Sequence, residues 1–160
     1  STKLVNVSAV LGKVVAARSA DQPVPTLDSR ERGLVVSTDP ERLATIIEHM
    51  VQNAQEATPS DGSVTIVARS DDDGVIIEVV DTGSGMDANF IAERLFKPFD
   101  TTKGNAGMGI GVYESREFVH SSGGYMEVIS APGAGTTFLI KFPTAVALVD
   151  RILAPAHMEN

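Results

Sequence analysis

The sequence predicts an α+β two-layer sandwich: one mixed, mostly antiparallel sheet of about five strands with about three helices on one face. Two observations carry that expectation. The β-rich runs fall into two hairpins, residues 64–68 with 75–80 and residues 125–130 with 136–142. The helical patterns stand before and between these hairpins instead of alternating with single strands, so a doubly wound parallel arrangement is not expected. With 160 residues and 42% hydrophobic content, the chain can bury one ordinary domain core.

The elements follow in order. Lys3, Leu4, Val5, Asn6 and Val7 read as a strand. Ser8 is a candidate cap for a helix to about Arg18, with Val10, Leu11, Val14 and Val15 on one face. Residues 20–32 are polar and contain proline, and read as a loop. Leu34, Val35 and Val36 form a short strand. Thr38-Asp39-Pro40 opens a long helix with proline at its first position and Leu43, Ile47, Met50, Ala54 and Ala57 as its core stripe. Pro59-Ser60-Asp61-Gly62 ends it. Asp71-Asp72-Asp73-Gly74 is the turn of the first hairpin. Its second strand is nearly all apolar, as expected of a central strand covered on both faces.

Residues 81–107 hold few regular patterns, and a loop of that length inside a compact domain is usually functional. A helix from about Gly109 to His120 ends at Gly123-Gly124, and the second hairpin turns at residues 131–135. The core spans about residues 3–143 as a single domain, 1–160, with residues 144–160 as a tail whose stretch from Ala145 to Leu153 has weak helical character.

Composition excludes several classes. There are no cysteines, hence no disulfide or thiolate metal site. The formal net charge is −8, which argues against a nucleic-acid partner, since a phosphate-backbone binder needs a basic surface. No apolar run approaches the length of a membrane span, and Ser1-Thr2-Lys3 does not begin a signal peptide. The expectation is a cytoplasmic segment, cut from a longer protein because it starts directly in a strand.

Five stretches bear chemistry. On the long helix, His49, Asn53 and Glu56 recur at i, i+4 and i+7 beside Gln52. Alone, this stripe reads as a solvated face. An amide such as Asn53 is also a neutral oxygen ligand suited to Mg²⁺. Asp81-Thr82-Gly83-Ser84-Gly85-Met86 sets a carboxylate at the end of a buried strand among alternate glycines, which let backbone and ligand approach closely. A carboxylate there can accept from an exocyclic amine and so tell adenine from guanine. The alternative is a tight turn with an Asp cap.

Gly104 to Gly111 alternates glycines into the start of a helix, a ready anion site, with Thr101, Thr102 and Lys103 just upstream to meet a phosphate. Neither a Walker A loop nor a G-x-G-x-x-G dinucleotide motif is present. Phe96 and Phe99, in a chain with only 5% aromatics, can anchor the intervening loop to the core as a hinge or clamp. Gly135-Thr136 closes the series as a hairpin turn whose hydroxyl can point into the same pocket.

In this order the motifs resemble the catalytic domain of sensor histidine kinases, within the superfamily of gyrase, Hsp90, these kinases and MutL. Residues 49–53 match its N box, 81–85 its first glycine box, 96–99 its F box, 107–111 its second glycine box and 135–136 the last. The resemblance covers roughly residues 3–143 and implies the Bergerat ATP-binding fold. Residues 52–58 and 99–116 look more closely like the PrsK-type kinases linked to exopolysaccharide and PEP-CTERM systems.

The resemblance implies ATP and Mg²⁺ as cofactors, with ADP as product. It implies Asn53 as the metal ligand and, with His49 and Lys103, as catalytic. It places Glu56, Ala57, Asp81, Gly83, Gly85, Met86, Phe99, Thr101, Thr102, Lys103, Gly104, Gly107, Met108, Gly109, Ile110, Gly111 and Thr136 around the nucleotide. Asp81 resembles the acceptor of the adenine amino group, Thr136 the second polar group beside the base, and residues 86–107 a lid. Two positions depart from the pattern. Glu56 stands where these kinases often carry Lys, and Thr101 where they often carry Arg, which makes Lys103 the candidate for a displaced cation.

The expected function is donation of the γ-phosphate of Mg·ATP to a histidine on a separate phosphoacceptor helix hairpin, with a response regulator downstream. None of the three histidines, His49, His120 and His157, has the acidic neighbour and following proline of an acceptor. The hairpin is therefore expected before Ser1 in a longer parent, itself a membrane-anchored sensor, or on another protein. The rivals are an ATPase clamp of the MutL or Hsp90 kind, which needs a carboxylate base where His49 stands, and an anti-sigma-type serine kinase or a nucleotide-dependent binding module.

Overall fold

The computed structural model describes residues 1–98 and 111–144. Strand β1 (Lys3–Asn6) leads into helix α1 (Val7–Ala17), followed by β2 (Thr26–Ser29), β3 (Val35–Thr38) and the long helix α2 (Pro40–Ala57). Strands β4 (Val64–Ser70) and β5 (Gly74–Asp81) form the first hairpin. A short helix α3 (Ala88–Phe90) runs on as one π-helical turn (Ile91–Leu95), and α4 (Val112–Ser121), β6 (Tyr125–Ser130) and β7 (Thr136–Pro143) complete the described chain.

The main sheet has five strands in the order β2-β4-β5-β7-β6, with β2 parallel to β4 and every other pair antiparallel. A separate two-stranded ribbon pairs β1 with β3. The expected two-layer α+β arrangement is therefore present, with the N-terminal strand in a ribbon of its own. Among the described residues no helix is long and apolar enough to cross a membrane.

Local chemistry sets the boundaries. Asn6, not Ser8, caps α1 by accepting the Ala9 amide at 3.1 Å. Asp39 caps α2 through the amides of Glu41 and Arg42 at 3.0 and 3.2 Å, with Pro40 inside the first turn. The α2 stripe of Leu43, Ile46, Ile47, Met50, Val51 and Ala54 packs in one core with Leu11, Ile66, Ile77, Ile140 and Phe142. Each of these side chains larger than alanine contributes roughly 1.5–3 kcal/mol on burial.

Two expectations need correction. Residues 20–32 are not all loop: β2 lies within them and is recruited to the sheet edge by β4, 39 residues later at Thr26↔Thr65. Of residues 81–107, the described part, 81–98, holds the short helix and π-turn as well as loop. As expected, β5 is a central strand with buried residues on both faces. Val75, Ile77 and Val79 face the core, while Ile76 sits directly between Arg69 and Lys141 on its neighbouring strands. Long basic side chains cover apolar surface with their stems.

The β4–β5 turn is pinned by Lys141, whose Nζ lies 2.6 Å from Asp71 and 2.7 Å from Asp73. That hydrogen bond from Lys141 lowers the Asp71 carboxyl to about 2. The loop after α1 is pinned from α2. The buried Gln55 amide donates to the carbonyls of Arg18, Asp21 and Pro23 and accepts from Arg18 Nε at 3.0 Å.

Candidate nucleotide site

The last turn of α2, the end of β5 and the β6–β7 turn converge through main-chain bonds. Ser84 donates to the carbonyl of Ala57 at 3.1 Å, one turn beyond Asn53. Gly133 donates to Ser84 O at 2.7 Å. Thr82 and Ser63 exchange bonds, Thr82 N to Ser63 O at 3.1 Å and Ser63 N to Thr82 Oγ1 at 2.9 Å. The first glycine motif is thereby fixed between the helix end and the second hairpin.

At the centre lies Asp81, only 5% exposed. It ends β5 opposite Val64 on one side and Thr136 on the other. Its Oδ1 accepts the amides of Gly83 at 2.8 Å and Thr136 at 3.1 Å. Burial pushes its carboxyl above the usual carboxylate range, and the two amide bonds offset part of that rise. Both bonds fall on Oδ1, so Oδ2 is the oxygen with which the group can meet an amino donor.

Gly83 and Gly85 serve close approach, but of chain to chain. A Cβ on Gly83 would run into the carbonyl of Ala57, and one on Gly85 into the carbonyl of Ala131; Gly85 also has φ +71°. These glycines let three backbone segments pack around Asp81, a role that reading them as ligand clearance alone misses.

His49, Asn53, Glu56 and Ala57 fall on α2 as expected, but not on a uniformly solvated stripe. His49 is buried at 7% exposure, Asn53 is half-buried, and Glu56 is exposed; Ala57, expected in the core stripe, is exposed as well because α2 ends there beyond the core. Exposure rises toward the helix end, where Ser84 joins. Gln52 Nε2 lies 3.4 Å from Glu56 Oε2. Among the described residues no group of three or more His, Asp or Glu side chains could hold a metal ion. Mg²⁺ usually keeps several waters and takes one or two protein oxygens beside the phosphates. The Asn53 amide fits that donor set.

Thr136 is buried and reaches its neighbours through Ser130, a residue the sequence reading did not single out. Ser130 Oγ accepts from Met86 N at 2.9 Å, donates to Gly135 O at 2.9 Å and lies 2.8 Å from Thr136 Oγ1. The Met86 side chain packs against the core. Phe96 does so as well, and the Arg116 guanidinium stands 4.3 Å over its ring.

At the start of α4 the amide of Gly111 is hydrogen-bonded to Glu114 Oε1 at 2.7 Å, so the chain's own carboxylate takes that donor. Glu114 Oε2, Ser115 Oγ and Arg116 Nε are buried without a hydrogen-bond partner among the described residues. Phe99, Thr101, Thr102, Lys103, Gly104, Gly107, Met108, Gly109 and Ile110 lie outside the described residues.

Comparison with known proteins decides the family. Residues 38–146 match the model of the histidine kinase-, DNA gyrase B- and HSP90-like ATPases. The chain belongs to this family. It is 31% identical over 115 residues to the sensor histidine kinase ZraS of Escherichia coli K12, covering 72% of this chain and 24% of ZraS. It is 36% identical over 121 residues to the C4-dicarboxylate transport sensor protein DctB of Rhizobium meliloti, covering 74% of this chain and 19% of DctB. The chain thus spans about a quarter or less of these relatives. In fold it is similar to the catalytic domain of the histidine kinase ThkA, with a TM-score of 0.77 at 23% identity over 90% of this chain and 98% of that one. The family match covers α2, the first glycine motif, the π-turn segment, α4 and both hairpins, and so includes the end of α2, the end of β5 and the β6–β7 turn that converge around Asp81.

Proposed function

We propose that this chain binds Mg·ATP and presents its γ-phosphate to a histidine on a separate phosphoacceptor helix hairpin, as the catalytic module of a two-component sensor histidine kinase. The observation that carries the reading is Asp81. A buried carboxylate, oriented by two backbone amides and lifted by desolvation, is built to receive a donor such as the adenine amino group.

In this reading Asp81 and Thr136 hold the base, and the Asn53 amide is an oxygen ligand for Mg²⁺. His49 lies one turn before Asn53, and Lys103 and the second glycine box attend the phosphates. Mg²⁺ supplies charge neutralisation on the transferring phosphoryl group. The protein's part is positioning with little covalent work, as is general for phosphoryl transfer. ADP leaves as product.

The partners are the acceptor hairpin and a response regulator; the kinase ThkA is known in complex with the response regulator TrrA. Residues 52–58 and 99–116 support a reading as a PrsK-type kinase, on the cytoplasmic side of a membrane-anchored sensor. His49 is buried in α2, and His120 stands exposed at the end of α4 facing Glu117 at 4.0 Å, not in an acceptor's surroundings. Incubation with γ-labelled ATP should leave the chain unlabelled, while an acceptor hairpin added in trans gains acid-labile phosphate slowly, because effective concentration is lost. Label on His49, His120 or His157 would overturn the proposal.

A further inference from the structure

The base-binding pair is joined by a third residue, Ser130, whose single hydroxyl proton has a determined direction. Ser130 Oγ lies 2.9 Å from the carbonyl oxygen of Gly135, and a carbonyl oxygen can only accept. The Ser130 proton is therefore committed there. Ser130 Oγ also accepts the amide of Met86 at 2.9 Å. The remaining contact, 2.8 Å to Thr136 Oγ1, then has one consistent polarity: Thr136 donates and Ser130 accepts. Thr136 has no second proton. Its hydroxyl can only accept from anything placed beside it. Asp81, with Oδ1 filled by the amides of Gly83 and Thr136, likewise presents an acceptor.

We propose that Ser130 is a positioning residue that fixes base specificity by holding the Thr136 hydroxyl in its acceptor orientation. Resting on the ATP-binding reading, this makes the base end of the site a pair of acceptors matched to a purine 6-amino group, which has two N–H donors. A 6-oxo purine brings an acceptor against both. Ser130 itself touches no nucleotide. It acts through Thr136 and, by taking the Met86 amide, also ties the chain beyond Gly85 to the end of β6.

Removing the Ser130 hydroxyl leaves the Thr136 proton free to turn outward, where the oxygen of a 6-oxo purine can accept it. The measurement is the ratio of Mg·ATP to Mg·GTP dissociation constants by calorimetry. Ser130→Ala is expected to lower the preference for ATP about tenfold, the scale of one hydrogen bond gained by the wrong base and weakened for the right one. Ser130→Thr, which keeps the hydroxyl, is expected to restore the wild-type ratio. Equal losses for both nucleotides in Ser130→Ala, or no change, would overturn the proposal, because a merely structural role moves both alike.

A measurement on the wild type stands even if Ser130→Ala does not fold. Inosine triphosphate, which has the 6-oxo group without the 2-amino group of guanine, is expected to bind as weakly as GTP. Binding close to that of ATP would overturn the assignment. A wild-type chain that binds no purine triphosphate at all would instead defeat the ATP-binding reading, a separate outcome.

Discussion

Thr136 donates its backbone N–H to Asp81 Oδ1 at 3.1 Å across 55 residues of chain. The bond lies where the end of β5 meets the start of β7, since Asp81 and Thr136 are register partners. It fixes the carboxylate from the second hairpin, while Gly83 fixes it from its own turn at 2.8 Å. One ionisable group is thus buried at the junction of elements far apart in sequence.

That burial predicts opposite effects on stability and binding. Asp81→Asn keeps an oxygen for the two amides but removes a charge that desolvation disfavours. The melting temperature at pH 7 should rise, while ATP affinity falls by about 1.5–3 kcal/mol, the scale of a hydrogen bond to a charged group. Thermal unfolding and calorimetry on the same preparation check both. Because the folded carboxyl lies above its unfolded value of 3.8, its contribution favours folding at low pH and is lost as pH rises through the folded value. The Asn variant should lack that component of the pH profile. A lower melting temperature together with unchanged ATP affinity would contradict the assignment.

Gly85→Ala should destabilise the fold directly. The residue has φ +71°, and a Cβ would strike the carbonyl of Ala131. The left-handed conformation alone costs roughly 1–2 kcal/mol, and the collision adds to it. Denaturant unfolding should show a lower midpoint with an unchanged slope.

Arg116 over Phe96 couples α4 to the end of the π-turn. Arg116→Ala should cost about 0.5–1 kcal/mol and speed amide exchange across residues 91–96, with residues 43–54 of α2 unaffected. Uniform acceleration in both segments would indicate global loosening instead of a local tie.

Hydrolysis separates a kinase from an ATPase. His49 is buried at 7% exposure and is not the carboxylate that activates water in the ATPase branch. Steady-state phosphate release should stay well below the usual enzyme range of about 1–10³ s⁻¹, and His49→Gln should leave it there. Brisk hydrolysis abolished in His49→Gln would make His49 a working base and favour the ATPase reading.

What could be read from the sequence was local. Asp39-Pro40 marks the start of α2, the turn at residues 71–74 marks the first hairpin, and the first glycine motif marks the turn packed around Asp81. What escaped depends on distant partners. β2, with the polar sequence Thr26-Leu27-Asp28-Ser29, becomes a strand because β4 pairs with it in parallel. Ser8 resembles a cap, yet Asn6 performs the role because Val7 is drawn fully into the core and starts the helix earlier. Ser130 carries no motif, and Gln55 lies within residues 52–58, a stretch that gives it no role. Their importance lies in Met86, 44 residues away, and in the carbonyls of residues 18–23, more than 30 residues away.

The most direct test of the account is isothermal titration of the wild-type chain with ATP and GTP, each with and without Mg²⁺. The account predicts saturable one-to-one binding of ATP, strengthened by Mg²⁺ and much weaker for GTP. Equal affinity for the two nucleotides, or no binding of ATP in the presence of Mg²⁺, would contradict it.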